Sequence, residues 1–130
     1  DADLGWRAWR RGWRSLYEPR SVLLHAGQAS FHGAFGRRGT EVLAHRNGFL
    51  LLWKNLRDPG LWLRHVGLGP ARVAADLLRF RTTRLEGFVR ALPRLPYALA
   101  RRAADEATLA PGRGDRAIFA EAGRAYPPAP

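Results

Sequence analysis

Residues 1–13 read DADLGWRAWRRGW and begin the predicted fold. Asp1 or Asp3 can cap a short helix over residues 1–11, because carboxylates are favourable at the positive end of a helix dipole. Gly12 is a typical residue for ending such a helix. Trp6, Trp9 and Trp13 recur at helical spacing, and arginines lie beside them in the sequence. The stretch therefore predicts a short amphipathic helix with an acidic start.

Two short strands and then several helices are predicted downstream. Residues 14–18 and 21–25 have the pattern of strands, and the second contains a continuous apolar run. Residues 26–39 are rich in Gly, Ser and His and predict a loop, whereas residues 40–56 have a helical apolar face. The run Asp58-Pro59-Gly60 breaks that helix. Later helices are predicted over residues 61–66, 71–92 and 97–107.

Composition narrows the classes of function. The formal net charge is +11, and Lys54 is the only lysine, so the positive charge is carried almost entirely by arginine. Such a charge suits nucleic acid, an anionic membrane or phosphorylated ligands. No nucleic-acid-binding fingerprint is found, so no nucleic-acid partner is predicted. The absence of cysteine excludes disulfides and thiolate metal sites.

The basic stretch over residues 61–102 has three interpretations. It can form ordinary surface helices, or it can lie on an anionic membrane with Trp62, Phe80 and Phe88 dipping in. Binding of nucleic acid is the third alternative. Beyond it, residues 108–130 are rich in Ala, Pro, Gly and Arg and contain few large apolar residues, which predicts disorder.

Several polar residues have both a structural and a chemical interpretation. A carboxylate at Asp1 or Asp3 can be a helix cap, or a general base that takes a proton from a sugar hydroxyl. His25, at the end of an apolar run, can be structural or can bind a metal ion. Arg46 and Asn47 can lie on a solvated helix face, or they can face a diphosphate, which the arginine fork suits.

Taken together and in order, these features resemble the C-terminal part of bacterial family 2 glycosyltransferases of the rhamnosyl- or galactofuranosyl-transferase type. Each motif alone is weak, and the ordered set over residues 1–56 is fairly specific. The matching pieces are Asp-x-Asp-Leu-x-x-Arg from Asp1 to Arg7, Arg-x-Gly-Trp from Arg10 to Trp13, Tyr-x-Pro from Tyr17 to Pro19, Val22 to His25, Ser30, His45-Arg46-Asn47 and Leu52-Trp53-Lys54-Asn55.

The resemblance implies roles for single residues. Asp1 would be the catalytic base on the acceptor hydroxyl, and Asp3 would hold the acceptor or the local structure. Arg7 and Trp13 would belong to the acceptor-binding side. His25 would join a divalent metal ion, Mg²⁺ or Mn²⁺, at the donor diphosphate.

The Arg-Asn pair is implied to contact the donor. Arg46 and Asn47 would face the phosphates of a nucleotide sugar, although family members often carry a further arginine where this chain has Gly48. The acceptor would be a cell-surface glycan or a lipid-linked sugar. The implied location is the cytoplasm, at the inner face of the cell membrane, with peripheral membrane association.

The implied fold is an α/β GT-A fold, of which this chain would be a C-terminal fragment, mostly helical with two short strands. Residues 1–56 would be the acceptor-side end of the catalytic domain. Residues 57–107 would be basic amphipathic helices, and residues 108–130 a disordered tail. The nucleotide-binding half with its own Asp-x-Asp is not in this chain, so the fragment alone is expected to be inactive. The alternative is a small basic, non-enzymatic module that binds an anionic membrane or nucleic acid.

Overall fold

The computed structural model describes residues 2–16, 18–22, 29–108 and 112–123, without the side chains of residues 29–31, 107 and 108. Within these ranges the secondary structure consists of helices. Helices α1 to α6 span Ala2–Arg10, Ala29–Asn55, Pro59–Leu77, Thr83–Ala91, Leu95–Thr108 and Asp115–Ala122, and Leu92–Arg94 form a 3₁₀ turn between α4 and α5.

The predicted α/β class is wrong for the described part of the chain, which contains no strand and no sheet. The described residues of the two predicted strands have no strand partner beside them, and Leu16 and Val22 are exposed. A strand needs a neighbour for its backbone hydrogen bonds, and an apolar run alone does not supply one. The predicted loop also differs, because α2 already begins at Ala29 and bends at Gly36, where φ is +66°.

The core lies where α2 crosses α4 and α5. Trp53 of α2 is buried against Ala91 and Ala98, and the ring of Phe88 meets the ring of Trp53 edge to face at a centroid distance of 6.0 Å. Phe88 makes a second edge-to-face contact with Phe49 at 5.3 Å. Such aromatic pairs add specific geometry to the burial of apolar area. This cluster fixes the C-terminal half of α2, on which the candidate site lies.

The crossing of α2 and α4 is close because it contains a glycine. A Cβ at Gly87 would lie 2.5 Å from the Cβ of His45 and 2.9 Å from the backbone nitrogen of Arg46. The backbone of α4 therefore contacts α2 directly at this point, and the larger aromatic side chains pack beyond it. The predicted helix over residues 71–92 is divided into two at residues 78–82, because α3 ends at Leu77 and α4 begins at Thr83.

Local signals explain where several helices begin and end. Asp58 caps α3, its carboxylate accepting a 2.8 Å hydrogen bond from the backbone nitrogen of Leu61, and Pro59 occupies the first turn. At the end of α1 the nitrogens of Gly12 and Trp13 donate to the carbonyl oxygens of Trp9 and Ala8, each at 3.0 Å. This is the Schellman pattern, and Gly12 accepts its left-handed position at φ +78°.

Helix α6 packs against α1 and joins it to the start of α3. It lies within residues 108–130, for which composition predicts disorder, and it differs from that expectation because Ile118 is buried. The ring of Phe119 meets the ring of Trp6 edge to face at 5.0 Å. The first residue of α6, Asp115, is also buried, and its carboxylate lies between α1 and the start of α3. None of the described helices combines the length and the apolar character needed to cross a membrane.

Candidate functional site

The carboxylate of Asp3 joins the start of α1 to the end of α2. Lys54 Nζ lies 2.9 Å from both carboxylate oxygens, and Asn55 Nδ2 donates to Oδ1 at 2.9 Å. Arg7, one turn along α1, donates from Nε to Oδ2 at 3.1 Å. Two motifs that lie about fifty residues apart in the sequence are therefore in direct contact through one side chain.

These contacts determine the charge state of Asp3. Partial burial raises the pKa of the carboxyl, but the hydrogen bonds from Lys54 and Asn55 and the charges of Lys54 and Arg7 lower it more. The pKa of Asp3 therefore lies below its ordinary value. Of the two roles implied for Asp3, holding the local structure is the one that these contacts provide.

We expect the Asp3 contacts to stabilise the fold at neutral pH and to lose this effect in acid. Because the pKa of Asp3 is lower in the folded state, its contribution is fully present above the unfolded pKa, which is about 3.9, and is lost as the pH falls through the folded value. Urea unfolding of the protein and its Asp3→Asn variant at a series of pH values measures this. The difference in free energy of unfolding should shrink below about pH 4. A difference that stays constant down to about pH 3 would contradict the assignment.

An open cavity of about 540 Å³ lies beside this ion pair. Its polar lining combines Asp3 and Lys54 with Asn47, which lies two turns earlier on α2. Gly48 opens one wall, because a side chain is lacking there. The structure thus brings together one residue predicted for the acceptor side and one predicted for the donor diphosphate.

Arg46 and Asn47 are paired with each other. The Nε and Nη2 atoms of Arg46 donate to the side-chain oxygen of Asn47 at 3.1 and 2.9 Å. An asparagine side chain has one acceptor oxygen and one donor NH₂ group, so the NH₂ group is the part of Asn47 left to bind an anion. The pair can offer N–H groups to phosphate oxygens, which is the chemistry predicted for it.

Trp13 lies apart from Asp3 and Arg7. It follows the far end of α1, a nine-residue helix about 14 Å long. There it lines a second cavity of about 380 Å³ together with Trp9, Arg14 and residues of α6. Aromatic faces with arginines nearby can stack on a sugar ring. Of the three residues predicted for acceptor binding, Asp3 and Trp13 therefore line separate cavities near opposite ends of α1. Arg7 lines neither of the two and contacts Asp3 instead.

The predicted catalytic base and metal ligand, Asp1 and His25, lie outside the described residues. Among the residues that are described, no three side chains of the acidic, His or Cys type are grouped to hold a metal ion. The best-placed carboxylate, Asp3, is occupied by Lys54 and Arg7. We therefore assign no described residue to Mg²⁺ or Mn²⁺ and derive no step through a metal.

Comparison with known proteins adds no relative. No protein-family model matches the chain, and neither a curated protein nor a solved structure matches it. The glycosyltransferase interpretation consequently remains a prediction from the ordered motifs.

Sequence reasoning did not assign a role to Lys54 and Asn55, although both belong to the quoted motif of residues 52–55. Lys54 is the only lysine in a chain rich in arginine, which is a signal that could have singled it out. It also lies 3.8 Å from Asp105 of α5, so it connects three helices. Asn55 is buried and bonds both Asp3 and the carbonyl oxygen of Leu51.

Proposed function

We propose that this chain supplies the catalytic base and the acceptor side of an inverting glycosyltransferase. The enzyme would transfer a sugar from a nucleotide-sugar donor to a cell-surface glycan or lipid-linked acceptor, at the inner face of the cell membrane. The observation that supports this is the contact of Asp3 with Lys54 and Asn55 beside Asn47. It gathers the separate motifs of the resemblance around one cavity. The α/β fold is not part of the proposal.

In the proposed reaction Asp1 accepts the proton of an acceptor hydroxyl as that oxygen attacks the anomeric carbon of the donor sugar. The bond from that carbon to the diphosphate breaks, and its electron pair leaves with the nucleoside diphosphate. Attack from the face opposite the leaving group inverts the configuration. A divalent metal ion, where one is bound, would stabilise the charge on the leaving diphosphate.

The described residues have supporting roles in this scheme. The ion pair of Asp3 with Lys54 holds the start of α1, the helix that follows Asp1 in the sequence, against α2. Arg46 and Asn47 would donate hydrogen bonds to the phosphates, since guanidinium and amide N–H groups suit anionic oxygens. Positioning of this kind accounts for a large part of enzymatic rate enhancement.

The proposal is tested by a transfer assay on the gene product that carries this chain. We expect transfer of label from one member of a panel of radiolabelled nucleotide sugars to a lipid-linked or glycan acceptor in a membrane extract. Nuclear magnetic resonance of the product should show the anomeric configuration opposite to that of the donor. Retention of configuration, or failure of every donor in the presence of Mg²⁺ or Mn²⁺, would contradict the proposal.

A further inference from the structure

The turn between α3 and α4, residues 78–82, exposes two large apolar side chains. Leu78 is 83% exposed and Phe80 is 96% exposed. Phe80 also has a φ of +54°, the one non-glycine residue with positive φ in the described chain. A bulky side chain in this backbone region is strained and uncommon. Folding alone therefore gives no reason for a phenylalanine at this position.

The hydrogen bonds of the turn show that a glycine would serve better for folding. The nitrogens of Phe80 and Arg81 donate to the carbonyl oxygens of Leu77 and Asp76, each at 2.9 Å. This is the same Schellman pattern that ends α1, where Gly12 occupies the left-handed position. The backbone of the turn needs a residue in the left-handed conformation, which glycine adopts without strain. Because the ring of Phe80 is exposed, its packing contributes little to offset the strain.

Helix α3 continues the apolar surface of the turn. No residue of α3 is buried, and large apolar residues recur at helical spacing on one stripe. The stripe consists of Leu63, Val66, Pro70, Val73 and Leu77. Val66, Pro70 and Val73 of this stripe line an open cavity of about 510 Å³, whose other walls are mostly aromatic and aliphatic side chains from α2, α4 and the start of α5. This cavity leaves α3 with an apolar face that the rest of the described chain does not cover.

The segment that contains this apolar surface is rich in arginine. Residues 61–102 contain nine arginines and only two acidic residues, Asp76 and Glu86. Both carboxylates are engaged, Asp76 with Arg84 at 2.5 Å and Glu86 with Arg38 of α2. Arg79 and Arg81 flank Phe80 in the sequence, and no carboxylate partner is described for either within residues 29–108. The turn therefore presents two arginines beside its exposed apolar side chains.

We propose that residues 78–82 and the adjoining stripe of α3 dock on an anionic phospholipid surface. Leu78 and Phe80 enter the apolar boundary of the bilayer, and the flanking arginines lie at the level of the phosphates. A nucleic acid would bind the arginines and its bases would stack on Phe80, but it offers no apolar phase for the exposed side chain of Leu78. A second copy of the chain would place two arginine-rich faces against each other, which is unfavourable. This inference does not depend on the proposed transfer reaction.

Binding of the full chain to vesicles tests the proposal. We expect co-sedimentation with vesicles of phosphatidylcholine and phosphatidylglycerol, little with phosphatidylcholine alone, and weaker binding as the salt concentration rises. The variant Leu78→Ser/Phe80→Gly should bind at least about tenfold more weakly, because two apolar insertions are lost. Neutralising one arginine, as in Arg79→Gln, should weaken binding about fivefold.

Two controls separate docking from unfolding and from general stickiness. Phe80→Gly should raise the thermal unfolding temperature while it lowers vesicle binding, because glycine relieves the left-handed strain. Leu16→Ser removes a side chain that is 88% exposed elsewhere and should leave binding unchanged. Equal binding of the double variant and the unmodified protein would overturn the proposal. The proposal would also be overturned if Leu16→Ser lost as much vesicle binding as the double variant. Self-association of the protein in the absence of vesicles, abolished in Leu78→Ser/Phe80→Gly, would overturn it as well.

Discussion

Replacing Asp115 by asparagine is expected to lower the free energy of unfolding by about 3 to 5 kcal/mol, the typical effect of removing one partner of a buried ion pair. The side chain of Asp115 is fully buried. Its carboxylate accepts hydrogen bonds from the backbone nitrogens of Arg57 and Asp58, at 2.5 and 2.6 Å, and from the guanidinium of Arg10. Asparagine keeps the shape but leaves the mostly buried Arg10 without a counter-charge, and a donor NH₂ group replaces one acceptor oxygen.

Urea unfolding followed by tryptophan fluorescence measures this loss. Glu18→Gln is a matched control, because Glu18 is an exposed acid whose ion pair among the described residues is a local one with Arg20. This variant should unfold like the unmodified protein. Arg10→Met should be destabilising too, since it leaves the carboxylate of Asp115 buried without its cation. The double variant Arg10→Met/Asp115→Asn should lose less than the sum of the single changes, because the two residues interact. Unchanged stability in Asp115→Asn would mean that α6 does not hold α1 against the start of α3.

Features that depend on neighbouring residues could be predicted from the sequence. The stop at Gly12 and the break at residues 58–60 follow from a left-handed glycine and from a capping aspartate followed by proline. The helix predicted over residues 40–56 needs only its own apolar spacing, and it is the C-terminal part of α2. Each of these signals acts within a few residues, so no knowledge of the tertiary structure was required.

Features that depend on distant residues could not be predicted in this way. Helix α6 has few large apolar residues, and it is held by a contact between Asp115 and Arg10, about a hundred positions apart. The break between α3 and α4 also escaped prediction, because its left-handed residue is Phe80 rather than the expected glycine. The predicted strands failed for a related reason, since strand formation requires a partner that local sequence does not report.

The candidate site was predictable in part. The acidic motif identifies Asp3 as a candidate residue. Its two possible roles are to bind the acceptor and to hold the local structure, and they differ only in what the carboxylate contacts. The structural role is provided by contacts with Lys54 and Asn55, which lie about fifty residues further along the chain. The pairing of Arg46 with Asn47 is local, and the sequence places them side by side. The cavity that Asn47 shares with Asp3 follows only from the packing of α1 on α2.

Replacement of Asp1 by asparagine in the gene product that carries this chain is expected to lower kcat by about 10² to 10⁴, the range typical of general base catalysis. Asparagine is similar in size but cannot accept the proton of the acceptor hydroxyl. The affinity for the nucleotide sugar should be unchanged, because the donor phosphates are proposed to contact Arg46 and Asn47 rather than Asp1. Kinetics of transfer and calorimetric titration with the donor measure the two quantities separately.

Asp3→Asn provides the comparison that distinguishes a base from a positioning residue. It removes one charge of the contact with Lys54 and Arg7, so it should lower the unfolding temperature and reduce kcat by a smaller factor. The remaining activity of Asp3→Asn should keep its dependence on the ionisation of a carboxyl at low pH, because Asp1 is still present. In Asp1→Asn that acid limb should disappear. If Asp1→Asn retains most of the rate, or if Asp3→Asn is the variant that loses the acid limb, Asp1 is not the base.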